Sequence, residues 1–234
     1  MARKRKASRP PTRAELLTGP VEDYLKAIYA FEREGGVAAT NDIAQRLAIA
    51  PASVSGMVQR LADQGLVTYE RYHGVRLTAA GRRAALRTLR RHRVIEAYLV
   101  RALGYGWDGV HEEAERLEHA ASDTLIDRMA AAIGEPLTDP HGAPIPTREG
   151  TIDETPHRTL ADVPVGTTTR VVRVEDEDAG TLRYLDSLGI RPGAEVELSQ
   201  RAPYDGPLTL AIGNSRFQVG TALASRVMVT GEVR

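Results

Sequence analysis

The chain has 234 residues, 31 basic against 31 acidic side chains, a formal net charge of zero, 42% hydrophobic residues and no cysteine. That is length and apolar content enough for one large domain or two smaller ones. It excludes disulfides and thiolate metal sites, and no apolar run reaches the ~18 residues that a membrane span requires. The N-terminus is charged and lacks an apolar segment, so it does not read as a secretory signal. With the absence of cysteine, this leads us to expect a cytoplasmic protein.

The charge is unevenly spread. Residues 1–13 hold six basic side chains and no acid, and residues 70–93 hold eight arginines against Glu70. Residues 111–127 reverse the balance, with six acids against Arg116. A basic first half keeps a polyanionic partner in view.

Residues 1–17 are basic, contain proline and lack periodicity, and read as a disordered arm. A helix is expected from Pro20, with Glu22 and Asp23 near its positive end and Val21, Tyr24, Leu25, Ile28 and Tyr29 on its buried face. Gly35-Gly36 ends it. A short second helix carries Ile43, Ala44 and Leu47, capped by Thr40 or Asn41. A third begins at Pro51, buries Val54, Met57, Val58 and Leu61, and ends at Gly65. Two strand-like runs, 66–71 and 75–78, meet at His73-Gly74 as a hairpin. Thr78 caps a long helix over 79–103. An acidic helix is expected over 108–133, and a Pro- and Gly-rich linker over 135–160. Beyond Val163, β-branched runs punctuated by glycines, with one helix near 179–188, describe a small barrel of about 70 residues.

Two short helices, a tight turn and a following hairpin define a winged helix-turn-helix. The outward face of the third helix, from Pro51 through Ala52, Ser53, Ser55, Gly56, Gln59 and Arg60, is small or hydrogen-bonding and free of acids. Small residues let a helix approach base edges, and Ser and Gln can bond bases or phosphates. Arg71 and Arg76 place cations on the wing. Double-stranded DNA is the expected partner.

His111, Glu115, Glu118 and His119 stand at i, i+4, i+7 and i+8, within roughly 100° of arc on one helix. His92 and Glu96, at i, i+4 on the long helix, add two convergent donors, and Asp23 offers a third source of oxygen. A solvated charged face is the plain alternative. Imidazole and carboxylate donors favour Mn²⁺, Fe²⁺, Co²⁺ or Zn²⁺ over Cu(I), and carboxylate-rich sets lean to Mn²⁺ and Fe²⁺. His111-Glu112 opens like the H-E-x-x-H of metallohydrolases, but the fifth position is Glu115, so no enzyme is expected.

Three stretches carry a family likeness: Val21–Tyr29, Ala50–Leu61, and His111–His119 followed by Ala-Ala-Ser-Asp123. Together they resemble the diphtheria-toxin-repressor family of metal-dependent transcriptional regulators, most closely over residues 20–146. The β-rich tail resembles the SH3-like domain that some members carry. The resemblance implies a mainly α protein with a β-rich tail. Its parts are the arm (1–17), a winged helix-turn-helix (18–79), a helical metal-binding and dimerisation domain (80–146), a linker (147–160) and an SH3-like domain (161–234). It implies a homodimeric repressor of metal homeostasis that binds operator DNA and no membrane. It implies a primary metal site of Asp23, Glu115, Glu118 and His119. The second site would be His92, Glu96 and His111, completed by a tail acid such as Asp178. Iron-responsive members carry Met and Cys where this chain has Asp23 and Glu115, so the likeness points to Mn²⁺ as activator. Short manganese-dependent members place a Glu ligand where this chain has Lys26, which implies two separated sites here. An iron-responsive repressor, or a winged-helix regulator with a non-metal effector, is the alternative.

Overall fold

The computed structural model describes residues 17–70, 74–175 and 178–231. The basic arm and Arg71 lie outside the described residues, apart from Leu17. The chain divides into two compact units, 1–88 and 89–234.

The first unit is built on three helices, α1 (Gly19–Arg33), α2 (Thr40–Arg46) and α3 (Pro51–Asp63), with a hairpin of β1 (Val67–Glu70) and β2 (Gly74–Leu77). Proline opens α1 and α3, as its fixed φ and missing N–H favour. Leu25, Ile28, Ile43, Val54, Val58 and Leu61 are fully buried, the faces that helical periodicity selects. Met57, expected in this core, is only half-buried. The α2 cap also differs from expectation. Thr40 is the first helical residue, Ala39 is the cap, and the Asp42 carboxylate accepts from the Ala39 N–H at 3.3 Å. An aspartate three residues inside the helix supplies the reciprocal bond of a capping box from that side alone.

The hairpin is antiparallel, from Val67 opposite Leu77 to Glu70 opposite Gly74. The Val75 N–H also donates to the Ala38 carbonyl at 2.9 Å, tying the wing to the chain entering α2. Thr78 caps α4 (Ala79–Leu103) as expected, its hydroxyl accepting from the Gly81 N–H at 3.1 Å. A Cβ at Gly81 would stand 1.9 Å from the Leu66 carbonyl oxygen, so only glycine lets the hairpin lie against the start of α4.

The second unit begins within α4 and continues with α5 (Val110–Glu118) and α6 (Asp123–Ala132). Val94, Ile95, Leu99, Val110, Ala114, Ile126 and Ala130 form their common core. The acidic helix expected over 108–133 is therefore two helices. Ser122 ends the run by offering its side-chain oxygen to the Leu125 N–H at 3.2 Å, and a Ser-Asp start outcompetes continuation through Ala120-Ala121. Leu117 of α5 is exposed.

The segment after α6 is more ordered than a linker reading implies. Asp139 Oδ1 accepts from the N–H groups of His141 (2.8 Å) and Ala143 (2.9 Å), and Thr138 bridges Pro144. Arg93 and Arg90 of α4 donate to the carbonyls of Pro144 (2.6 Å) and Pro146 (2.9 Å). Proline lacks a donor but keeps its acceptor, so a Pro-rich strip can be fastened by arginines.

The tail contains β3 (Arg158–Thr159), β4 (Thr167–Val174), α7 (Ala179–Ser187), β5 (Glu195–Arg201), β6 (Leu208–Ile212), β7 (Ser215–Val219), α8 (Thr221–Ala224) and β8 (Val227–Val229). The strands form one antiparallel sheet in the order β3-β8-β4-β5-β6-β7. This is the SH3-like β-rich domain, closed over Leu160, Val171, Leu182, Leu185, Ile190, Val196, Leu198 and Leu210. Trp107, from the loop between α4 and α5, is a member of the same core.

Candidate metal centre and nucleic-acid face

The α3 surface matches the sequence expectation. Pro51, Ala52, Ser53, Ser55, Gly56, Gln59 and Arg60 are all exposed, while Val54, Val58 and Leu61 hold the helix down. A Cβ at Gly56 would meet nothing within 4 Å, so no internal packing demands glycine there. Gln59 Nε2 donates to Asp63 Oδ1 at 3.1 Å, which orients the amide along the helix. Arg76 is exposed on β2.

The donor cluster is centred on His92, a buried residue of α4. Its Nδ1 stands 2.7 Å from Glu118 Oε2 and 3.6 Å from Glu115 Oε1. Its Nε2 stands 3.0 Å from Glu96 Oε1 and 3.2 Å from His111 Nδ1. His111 Nδ1 is itself 3.5 Å from Glu96 Oε1, and His111 Nε2 is 3.8 Å from Glu115 Oε1. Glu118 Oε1 lies 3.4 Å from His119 Nε2. Helix spacing supplies these directions: i, i+4 brings His92 onto Glu96 and His111 towards Glu115. Glu96 and Glu118 are almost wholly buried, 2% and 0% exposed. Two buried carboxylates among imidazoles, in a chain without cysteine, fit a divalent cation by donor type and by charge.

The expected second-site residues His92, Glu96 and His111 are brought together. Glu115, expected with the primary set, faces His92 and His111, while Glu118 and His119 adjoin each other. Asp23 is a half-buried residue of α1 in the first unit. Asp178 caps α7, accepting from the Thr181 N–H at 2.7 Å and the Thr181 hydroxyl at 2.9 Å, and belongs to none of the donor groups found among the described residues.

Two buried residues of the same neighbourhood escaped the sequence reading. Asp139 and His141 gather with Glu96 into a third cluster, with His141 Nδ1 4.0 Å from Glu96 Oε2. Arg93 Nε pairs with Asp139 Oδ2 at 3.4 Å. The signal for them is an Asp and a His, both ligand-type residues, inside a Pro-rich segment. Burial works against the Glu96 charge, but the imidazoles of His92, His111 and His141 hold its carboxyl well below the usual carboxylate range. Asp139 moves the other way, raised by burial and by the charge of Glu96 against the pull of Arg93.

A winged helix-turn-helix, a helical domain with a buried carboxylate–imidazole cluster and an SH3-like tail together define a metal-dependent DNA-binding regulator. Three family models match in that order. They are the iron dependent repressor N-terminal DNA binding domain over 16–75, the iron dependent repressor metal binding and dimerisation domain over 78–147, and the FeoA domain over 158–231. The iron-dependent repressor IdeR of Mycobacterium bovis is 30% identical over 225 residues, covering 91% of this chain and 97% of the relative. The regulator MntR of Geobacillus kaustophilus is 38% identical over 112 residues, covering 48% of this chain and 79% of the relative. A solved manganese-dependent transcriptional repressor in complex with manganese superposes with a TM-score of 0.82 at 38% identity, covering 90% of this chain and 99% of that one. The chain belongs to the diphtheria-toxin-repressor family. It is a metal-dependent transcriptional repressor rather than an enzyme, with operator DNA and a second copy of itself as partners. No helix among the described residues is long and apolar enough to cross a membrane.

Proposed function

We propose that Mn²⁺ is the activating ion, and that it acts in the cytoplasm through a primary site of Asp23, Glu115, Glu118 and His119. The observation that carries this is the donor set: carboxylates and imidazoles only, with Glu118 fully buried. Hard oxygen donors favour Mn²⁺ over softer competitors, although later divalent metals bind more tightly whatever the donor, so geometry and supply complete the selection. Oxygen at Asp23 and Glu115, where the resemblance places sulfur in iron-responsive members, argues the same way. So does the likeness to a repressor solved with manganese. The likeness to IdeR supports the second reading, an iron-responsive repressor.

A bound cation would supply the attraction that holds carboxylates of separate helices at one point. Asp23 belongs to α1, the helix leading into the helix-turn-helix, so tying it to Glu118 and His119 restricts the orientations of α3. Two copies so restricted present their α3 helices to successive major grooves, about 34 Å apart. Binding of metal and of DNA must then strengthen each other by one common factor. His92, Glu96 and His111 form the second site. Asp178 would complete it through its second oxygen, since Oδ1 accepts both bonds from Thr181.

The test is fluorescence anisotropy of labelled operator DNA, titrated with Mn²⁺, Fe²⁺ and Zn²⁺ and reversed by chelator. Activation by Mn²⁺ at its available cellular concentration, with none by Fe²⁺ at its own, is the expected result. The reverse pattern selects the iron reading, and binding indifferent to metal and chelator rejects both.

A further inference from the structure

The unit that carries α3 is close to neutral without its first residues. Residues 14–88 hold nine basic side chains against eight acidic ones. Residues 1–13 add six more cations, Arg3, Lys4, Arg5, Lys6, Arg9 and Arg13, and no acid. The surface that faces DNA is balanced in the same way. Among the described residues of α3, β1 and β2 the basic side chains are Arg60 and Arg76 and the acidic ones are Asp63 and Glu70, all of them exposed. Other cations of the unit are engaged within it. Arg46 pairs with Glu34 at 3.5 Å, and the Arg82 guanidinium lies 5.1 Å from the centre of the Tyr29 ring.

Operator DNA demands more positive charge than this. Phosphate neutralisation by Lys and Arg supplies essentially all non-specific affinity for duplex DNA and a large share of specific affinity. Two exposed cations offset by two exposed acids supply little of it. The first 13 residues hold the missing charge, and chain length lets them deliver it. The sixteen residues ahead of Leu17 lead into α1, and a chain of that length spans up to about 55 Å. A compact unit of this size has a radius of gyration of about 12 Å. The arm can therefore reach DNA seated on α3 from any point of the unit's surface. Covalent attachment also keeps its charge at high effective concentration beside that DNA.

We propose that the basic arm, residues 1–13, is a second DNA-binding element, which neutralises backbone phosphates flanking the α3 contacts whatever their sequence. The labour is then divided. The face of α3 from Pro51 to Arg60 reads base edges, and the arm supplies the salt-sensitive affinity that the near-neutral remainder of the unit lacks. The arm's charge does not depend on a bound ion, so its share of the affinity persists without metal and is the same whichever ion activates the protein. An anionic membrane surface also attracts basic clusters. Residues 1–13 contain no Leu, Ile, Val, Phe or Trp to enter the acyl region, which favours DNA.

The test compares the wild-type protein with two variants. One combines Arg3→Gln, Lys4→Gln, Arg5→Gln, Lys6→Gln, Arg9→Gln and Arg13→Gln; the other lacks residues 2–13. Fluorescence anisotropy follows binding across a salt series, to operator duplex in excess Mn²⁺ or Fe²⁺ and to a random duplex of equal length with and without chelator. The slope of log K against log salt should flatten in both variants by about 0.9 for each phosphate that the arm neutralises. At low salt both should bind both duplexes at least about tenfold more weakly, with the ratio of operator to random affinity unchanged. Wild-type slopes in the variants would overturn the proposal. A loss confined to the operator duplex would also overturn it, because phosphate contacts carry no sequence information. Flattening in the truncated protein but not in the Gln variant would do the same, because charge is what the arm supplies. Unchanged slopes with lost binding to vesicles of anionic phospholipid would assign the arm to a membrane surface instead.

Discussion

His92 and Glu118 meet through a 2.7 Å contact between Nδ1 and Oε2, while the other nitrogen of His92 points to Glu96 and His111. One imidazole thus serves two proposed sites: its Nε2 is directed at the second, and its Nδ1 orients a carboxylate of the first. Removing the ring should therefore weaken both. We expect His92→Ala to lower metal affinity at each site by about 10–100-fold, whereas His111→Ala lowers it at one. Calorimetric titration of both variants resolves this. A loss confined to one site in His92→Ala would mean that the contact with Glu118 orients nothing.

Glu115 is the residue whose assignment divides the expectation from the geometry, since its carboxylate faces His92 and His111. If it belongs to the primary set, Glu115→Ala abolishes metal-stimulated operator binding with the far-UV circular dichroism unchanged. Full metal stimulation in that variant would move Glu115 to the second site.

Arg60 is exposed on α3, on the turn that carries Gln59. Arg60→Ala should weaken operator binding while leaving metal affinity in the absence of DNA unchanged. If Arg60 meets a phosphate, the slope of log K against log salt should fall by about 1 and all sequences should weaken alike. If it meets a base edge, the loss should be about 1–3 kcal/mol and specific to one position. A parallel loss of DNA and metal binding would indicate misfolding instead.

Gly142→Ala combines a left-handed backbone angle with a collision against the Val172 carbonyl. Strain of about 1–2 kcal/mol for the angle and about 1–3 kcal/mol for overpacking should lower stability by roughly 3 kcal/mol. Urea denaturation, following the tail through Trp107 emission, measures it. A change below about 0.5 kcal/mol, the range of inert surface substitutions, would mean that the strip can lift off β4 at no cost.

Much of the fold was legible because its signals are local. Pro20 and Pro51, the buried faces of α1 and α3, the Thr78 cap and the β-branched runs of the tail all act within a few residues of themselves. The break at Ser122 is equally local, but the acidic periodicity on either side of it outweighs one cap signal. The order of the strip over 135–147 is hidden in the sequence for a different reason. Its prolines argue against regular structure, but not against order imposed by Arg90 and Arg93 from a helix about 50 residues earlier.

The sequence by itself determined the kinds of chemistry: a helix whose first three turns, Pro51 to Arg60, carry no acid, and imidazoles and carboxylates at helical spacing without cysteine. Periodicity fixes how each side chain points about its own helix axis. The tertiary structure decided which donors face each other. It set His92 between Glu96 and Glu118, turned Glu115 towards His111, and delivered Asp139 and His141 from a segment without periodicity. Partnership across helices depends on how their buried faces pack, and spacing along one chain carries no record of that.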